Sequence, residues 1–227
     1  MKQLVTTGIV LSRTDFGEAD RILTLLTPEH GKLRLVAKGV RHVKSKLAGG
    51  IELFSVSHIT FIRGRGEIGT LISSRLDKHY ANIVKDIERT MLGYELLKQL
   101  DRATEDEPEP AYFRLLQRAF AALDDTQIAA ELIRLWFAAQ LTRLGGRSPN
   151  LQTDTTGAKL IAASRYNFDF ERMTFTPVAH GRFTAAHIKF LRLLFGDIVP
   201  GTLRRVTGAT ELLADLAPII AHAKDMT

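Results

Sequence analysis

The spacing of apolar and polar positions divides the chain near residue 80. Before that point, short runs rich in branched residues alternate with breaks that contain Gly or Pro. In the run KLRLVAKG, the apolar residues alternate with Lys32, Arg34 and Lys38, which is the two-residue period of a half-buried strand. Five such runs, with no helical pattern between them, predict a five-stranded antiparallel barrel of the OB type.

Beyond residue 80 the apolar positions recur at helical spacing. The first predicted helix has Asn82 as its N-cap. Its periodic residues are Val84, Ile87, Met91 and Tyr94. The acidic segment EDEPEP at residues 105–110 ends this helix, because proline cannot continue it. The same spacing predicts four further helices in the rest of the chain.

An irregular stretch over residues 146–183 interrupts the helical pattern. Its segment YNFDFERMTF alternates as a hairpin strand does. The predicted fold class is therefore α+β. A five-stranded OB-type nucleic-acid-binding barrel is expected over residues 1–80, and a helical domain that contains the hairpin insertion is expected over residues 81–227.

The amino-acid composition limits the kinds of chemical site that the chain can form. The 227 residues are 45% hydrophobic and 25% charged, and none is cysteine. Without cysteine there is no disulfide and no thiolate zinc site, which fits a reducing compartment. The N-terminal segment MKQLVTTGIVLSRTDFGEADR has too many polar residues for a signal peptide, and no apolar run approaches the roughly 20 residues that cross a bilayer. We expect a cytoplasmic protein.

The excess positive charge lies in the predicted barrel. Residues 1–80 hold 13 Lys and Arg against 7 Asp and Glu, a net charge of +6, whereas the 18 basic and 18 acidic residues of the remainder cancel. Such an asymmetry is typical of a polyanion-binding module joined to a neutral one.

The densest basic segment is AKGVRHVKSKLAGG, residues 37–50. Its cations are Lys38, Arg41, Lys44 and Lys46. No acidic residue lies among them, and the segment is either an ordinary solvated loop or a phosphate-binding surface. The second interpretation is favoured because Arg34 on the preceding strand, and Arg63 and Arg65 in another turn, would add cations to one surface. This pattern predicts phosphate-led DNA binding with little base preference.

The sequence contains only weak matches to catalytic motifs. GRGEIG at residues 64–69 fits the glycine pattern of a dinucleotide-binding loop, but the next run has the pattern of a strand and not of the required helix. A tight hairpin is favoured there. No nucleophile, base and oxyanion-binding group assemble in the sequence, and the seven histidines show no metal-ligand spacing. We expect neither enzymatic activity nor a cofactor.

The N-terminal part of the chain resembles a known family. The segment GIVLSRTDFGEADRILTLLTPEHGKLRLVAKGVRHVKSKLAGG is similar to the N-terminal signature of the RecO family of bacterial recombination mediators. YANI at 80–83 is also similar, whereas LGGRSPNL at 144–151 and FTPVAHG at 175–181 match more diffusely. The resemblance covers most of the chain and is strongest before residue 83.

The resemblance implies an OB barrel, a helical domain and a non-enzymatic role in recombinational repair. Proteins of this family bind single- and double-stranded DNA and anneal complementary strands. With RecR they help RecA to replace single-strand-binding protein on DNA. Basic barrel residues contact DNA in the family, which here implies Lys38, Arg41, Lys44 and Lys46, with Arg34, Arg63 and Arg65 as secondary positions. A bacterial cytoplasmic protein that associates with the nucleoid during repair is expected.

The resemblance also implies that the acidic, hydrophobic C-terminal tail of single-strand-binding protein docks on the helical domain. Such a tail needs an apolar groove with a cation at its rim, and Arg134, Trp136 and Arg143 are the candidates. In the alternative interpretation, which is favoured, Trp136 belongs to the core and the arginines are solvated.

Zinc is not expected, although many relatives have a four-cysteine zinc motif after the segment LGGRSPNL. This chain has no cysteine with which to form one. The hairpin insertion is instead predicted to be held together by Phe168, Phe170 and Phe175.

Two functions of other classes are kept as alternatives. In the first, the helical domain acts as a scaffold or adaptor and the barrel binds DNA only weakly. Neutralising the basic loop would then leave DNA affinity unchanged. In the second, GRGEIG serves a nucleotide-using enzyme, which calorimetry without detectable nucleotide binding would exclude.

Overall fold

The structure is a computed structural model, and it describes residues 2–64 and 66–225. Arg65, one of the predicted DNA contacts, lies outside the described residues. The chain folds into two compact units, Met1–Thr126 and Gln127–Thr227.

Five β-strands open the first unit. They are β1 (Gln3–Phe16), β2 (Asp20–Thr27), β3 (Gly31–Ala37), β4 (Ser55–Ile62) and β5 (Ile68–His79). The strands close into a barrel in the order β1-β2-β3-β5-β4. β3 and β5 run parallel, and the other neighbours run antiparallel. This is the OB-type arrangement, so the predicted fold class is confirmed.

Along each strand, every second side chain points into the barrel and contributes to its core. In β3, Leu33, Leu35 and Ala37 are buried, whereas Arg34 is exposed and Lys32 is half-buried. Successive side chains of a strand point to opposite faces, so the basic residues of β3 share the outer face. The two-residue period predicted for this segment is confirmed.

Two helices complete the first unit: α1 (Ile87–Ala103) and α2 (Pro110–Asp124). Phe54, immediately before β4, is buried between them. Its ring meets the rings of Tyr94 and Phe120 edge-on, at centroid distances of 5.3 and 5.6 Å. Gly93 makes room for this ring, because a Cβ at that position would lie 2.6 Å from Phe54 Cε1.

The start and the orientation of α1 differ from the prediction. The N-cap is Asp86 and not Asn82, since the Asp86 carboxylate accepts a hydrogen bond of 3.0 Å from the Arg89 backbone N–H. The predicted apolar row is exposed, with Ile87 at 80% and Met91 at 61%. The buried row consists of Leu92, Leu96, Leu97 and Leu100. Both rows have helical spacing, and the one with more leucine is the buried row.

Within the described residues, the second unit contains four helices and a β-hairpin. They are α3 (Ala130–Leu144), β6 (Tyr166–Asp169), β7 (Thr174–Pro177), α4 (Ala185–Leu194), α5 (Pro200–Leu203) and α6 (Ala209–Asp225). α4 and α6 both pack against α3. The core therefore surrounds α3, and it includes Trp136, whose indole N–H donates to the Ile198 carbonyl at 2.6 Å.

Aromatic rings hold the hairpin insertion. Phe175 is fully buried, and Tyr166, Phe168 and Phe183 approach its ring edge-on at 6.0, 5.1 and 5.8 Å. Phe170 is 38% exposed and packs on Phe168 at the edge of this cluster. In the part of the chain that the structure describes, no three His, Asp or Glu side chains lie close enough together to hold a metal ion.

The predicted domain boundary falls at the end of the barrel, since β5 ends at His79. The first compact unit nevertheless continues through α1 and α2 to Thr126. The division into residues 1–80 and 81–227 stays a prediction. No helix in the described ranges has the length and the apolar composition needed to cross a membrane.

Candidate nucleic-acid interface

Residues 38–50, in the connection from β3 to β4, form a loop that is fixed to the barrel at both ends; we call it the basic loop. At its start, the Gly39 N–H donates to Asp20 Oδ1 at 2.7 Å. At its far end, the Ser74 hydroxyl donates to the Leu47 carbonyl at 2.9 Å, and a Cβ on Gly50 would lie 2.6 Å from Ser74 Cβ. The middle of the loop, by contrast, is solvent-exposed.

Three lysines of the basic loop are exposed. Lys38, Lys44 and Lys46 form no ion pair with any described residue. Each ammonium group is therefore available to an external anion. Because the loop is fixed at both ends, the three lysines stay on one side of the barrel.

Arg41 differs from these lysines. Its Nε lies 3.5 Å from Asp15 Oδ2, and its guanidinium donates to the Gly17 carbonyl at 3.3 Å. The hydrogen bond from Arg21, together with the charge of Arg41, holds the pKa of the Asp15 carboxyl below its ordinary value. Arg41 thus helps to fix the turn between β1 and β2, and only part of its charge faces solvent.

Two apolar side chains lie exposed at the same end of the barrel. Val43, in the middle of the basic loop, is fully exposed, and Phe16, at the end of β1, is 53% exposed. The Arg41 N–H donates to the Ala19 carbonyl at 2.9 Å, which keeps the loop beside the turn that follows Phe16. Both side chains are in reach of a ligand that contacts the loop. Val43 stands in no periodic pattern of the sequence, so no local signal identified it.

The secondary cations lie further toward the start of β3, with Arg34 in the middle of the strand. Arg34 pairs with Ile68 across the β3–β5 seam, and Arg63 follows β4. The seven residues of β3 span roughly 20 Å, because a strand rises about 3.3 Å per residue. The predicted DNA contacts form two groups: the basic loop after β3, and Arg34 with Arg63, which share a cleft with Lys32.

A cleft of about 630 Å³ lies at this second end, and its charge is mixed. Its cations are Lys32, Arg34 and Arg63. Its acidic residues are Glu29, Glu67, Asp106 and Glu107. This end of the barrel is thus not the purely basic surface that the sequence predicted. The assignment of Arg34 and Arg63 as DNA contacts stays a prediction.

The glycine-rich segment GRGEIG connects β4 to β5. β5 pairs antiparallel with β4, with Ile62 opposite Thr70. A dinucleotide-binding loop needs a helix after the glycines, whereas a strand follows here. The hairpin interpretation agrees with this topology.

The three residues predicted for a partner tail do not form a groove together. Trp136 is buried in the core, as the alternative interpretation expected. The Arg134 guanidinium donates to Glu131 at 2.7 Å, and that of Arg143 donates to the Gln140 side-chain carbonyl at 2.9 Å. The location of a tail site stays a prediction, and Trp136 would contribute to it only by supporting α3.

The fold and the charges together define an OB-barrel protein with an anchored cationic loop and a separate helical unit. Two family models match the chain. Residues 1–80 match the description "Recombination protein O N terminal", and residues 84–215 match "Recombination protein O C terminal". The chain belongs to the RecO family, which confirms the resemblance found in its sequence.

Relatives with the name "DNA repair protein RecO" agree with this assignment. The protein of Dehalococcoides mccartyi (strain ATCC BAA-2266) is 34% identical over 71% of this chain and 64% of its own length. That of Desulfatibacillum aliphaticivorans is 29% identical over 66% and 60%. That of Listeria welshimeri is 28% identical over 83% and 75%. The match spans less than two thirds of the length of the first two relatives.

Proposed function

We propose that this protein is a DNA-binding mediator of recombinational repair. In this proposal the barrel binds single- and double-stranded DNA and supports annealing of complementary strands. The main observation in support is the basic loop, which holds Lys38, Lys44 and Lys46 exposed and without an ion-pair partner among the described residues. The names of the relatives support a role in DNA repair.

Binding of this kind would depend on phosphates. Each lysine that contacts a phosphate releases a condensed counterion, so affinity falls steeply with salt. Lysine is a point charge on a flexible stem, and it can follow a moving backbone without a fixed bidentate geometry. Two complementary strands repel each other, and a surface that neutralises phosphates lowers this barrier to pairing. Phe16 and Val43 would supply apolar contact to unstacked bases beside the lysines.

The proposed role is non-enzymatic. The acids whose pKa is lowered have structural partners: the Asp15 carboxylate binds Arg21, and that of Asp154 accepts hydrogen bonds from Thr156 within its own turn. His187 binds Asp215 at 3.2 Å, but its Nδ1 accepts the Thr184 backbone N–H and caps α4. These groups stabilise local structure and do not resemble a nucleophile with a free base.

Protein partners are proposed from the family resemblance. They are RecR, the C-terminal tail of single-strand-binding protein and, indirectly, RecA. The role of the barrel would be to hold DNA while these proteins exchange on it. The adaptor alternative differs because it needs no strong contact between DNA and the basic loop.

The test is the salt dependence of DNA binding, measured by fluorescence anisotropy of a labelled single strand. The variant is Lys38→Gln/Lys44→Gln/Lys46→Gln. The control, Lys98→Gln/Lys159→Gln/Lys189→Gln, removes the same charge at exposed positions outside the loop.

We expect the loop variant to bind roughly tenfold more weakly at low salt, with its salt slope reduced by about 2, because each single-strand phosphate contact contributes about 0.7. The control should stay close to the wild type. If both variants bind alike, the basic loop is not the DNA site, and the adaptor alternative is preferred.

A further inference from the structure

The segment between α1 and α2 lies against the barrel, next to its cationic strand. This acidic linker, residues 104–109, contains the exposed acids Glu105, Asp106, Glu107 and Glu109. It passes directly over Gly31 at the start of β3, where a Cβ would clash with the Asp106 carbonyl oxygen. Gly31 also has a φ of +63°, so both the turn and the close approach require glycine.

Both ends of the acidic linker are fixed. The Thr104 hydroxyl donates to the Leu100 carbonyl at 2.8 Å, and Thr104 itself is buried. At the other end, the Tyr112 N–H donates to the Glu109 carbonyl at 3.2 Å. Pro108 restricts the backbone between them. The acidic side chains are therefore held beside the barrel and do not belong to a freely moving segment.

The acidic linker shares its surroundings with cations that were predicted to bind DNA. Asp106 and Glu107 line the same cleft as Arg34 and Arg63. Just before the linker, Asp101 at the end of α1 binds Lys32, whose Nζ lies 2.7 Å from the Asp101 carbonyl and 3.2 Å from its carboxylate. Negative groups of the chain thus surround the cations at this end of β3, whereas the lysines of the basic loop form no ion pair with any residue that the structure describes.

We propose that the acidic linker is an intramolecular competitor for phosphate, which weakens DNA binding at the cleft end of the barrel. The inference rests on the proposed function, because it presumes that the barrel binds DNA. A phosphate that approaches Arg34 or Arg63 meets the field of Asp106 and Glu107 at close range. Tight phosphate contacts are thereby confined to the basic loop, and the strand beyond it is held loosely.

The experiment neutralises the linker with Glu105→Gln/Asp106→Asn/Glu107→Gln. Its control, Glu88→Gln/Glu171→Gln/Glu211→Gln, gives the same change in net charge at exposed positions outside the acidic linker. Binding of a labelled single strand is measured by anisotropy over a salt series. Circular dichroism and thermal melting check the fold of each variant. Glu107→Gln alone serves as a milder second variant should the triple variant misfold.

We expect the linker variant to bind about three- to tenfold more tightly than the control variant at low salt, since two of the removed charges, Asp106 and Glu107, line the same cleft as Arg34 and Arg63. The gain should vanish at roughly 1 M salt, where charges are screened within about 3 Å. It should also vanish when Arg34→Gln/Arg63→Gln is added, because those cations would supply the new contacts.

A gain no larger than that of the control would overturn the inference, and so would a gain that survives the loss of Arg34 and Arg63. The loop-lysine variant, measured in the same assay, separates this failure from that of the proposed function. If the loop variant binds weakly while the linker variant matches its control, only the inference fails. If the loop variant binds like the wild type, the proposed function fails.

Discussion

Replacement of Gly93 by alanine isolates the contact between α1 and the barrel. In an unconstrained helix interior, Gly→Ala stabilises by about 1 kcal/mol. Here the new Cβ would lie 2.6 Å from Phe54 Cε1 and 3.0 Å from Cζ, whereas carbon atoms pack best at about 3.5–4.0 Å. One of the two groups must move by nearly 1 Å.

The Phe54 ring has little freedom to move. It is 1% exposed, it is bounded by Phe120 and Tyr94, and its φ of 56° is rare for a bulky residue. Overpacking of this kind costs about 1–3 kcal/mol. With the propensity gain subtracted, we expect Gly93→Ala to lower the free energy of unfolding by up to about 2 kcal/mol.

Urea unfolding followed by circular dichroism measures this change. Gly201→Ala is the matched control, because its Cβ would meet only Ile128 Cδ1, at an ordinary 3.7 Å. In a Phe54→Leu background the atoms that clash are absent, so Gly93→Ala should become neutral or stabilising there. A stabilising Gly93→Ala in the wild-type background would refute the packing argument, as would a cost that persists with Leu at position 54.

Three further predictions concern charge and domain structure. Arg41→Gln should weaken DNA binding less than Lys44→Gln in the anisotropy assay, because Arg41 is already partly engaged by the β1–β2 turn. Hydrogen bonds from Arg182 chiefly hold the pKa of Asp215 below its ordinary value of 3.8. The lowered pKa stabilises the second unit at pH values above the ordinary pKa, and this stabilisation is lost as the pH falls through the folded pKa. Arg182→Gln should therefore lose less stability than the wild type between about pH 5 and pH 3, as measured by denaturant unfolding. A fragment of residues 1–80 should unfold at lower urea concentration than the first compact unit, since Phe54 would lose both helices; equal midpoints would contradict this.

The barrel was predictable because its signals are local. The two-residue period of β3 and the Gly-containing breaks depend only on near neighbours, and they gave the correct number of strands. The exposure of Lys38, Lys44 and Lys46 followed from the same pattern, since a charged segment without periodicity does not enter a core. The parallel pairing of β3 with β5 was not predictable, because alternation identifies the inner face of a strand and not its neighbour.

The errors concern contacts between distant segments. The periodic row with Ile87 and Met91 gave a correct helix but the wrong buried face, since only tertiary packing decides between two rows. Arg41 forms its ion pair with Asp15, which lies more than 20 residues earlier in the sequence. The approach of Asp106 to Gly31 joins segments further apart still. Local charge patterns therefore located the cations but not the acids that modify them.

The barrel is closed by a short parallel ladder between β3 and β5. β3 and β5 pair only from Arg34–Ile68 to Val36–Thr70, in parallel geometry, whereas the β1–β2 and β4–β5 ladders are longer and antiparallel. Parallel pairs are slightly less stable per residue, and short ladders open at low free energy. Amide hydrogens on this seam should exchange with solvent before those of the β1–β2 ladder. Its opening would widen the neighbouring cleft while the opposite wall of the barrel stays intact, so the surface beside Arg34 can adjust its width without global unfolding.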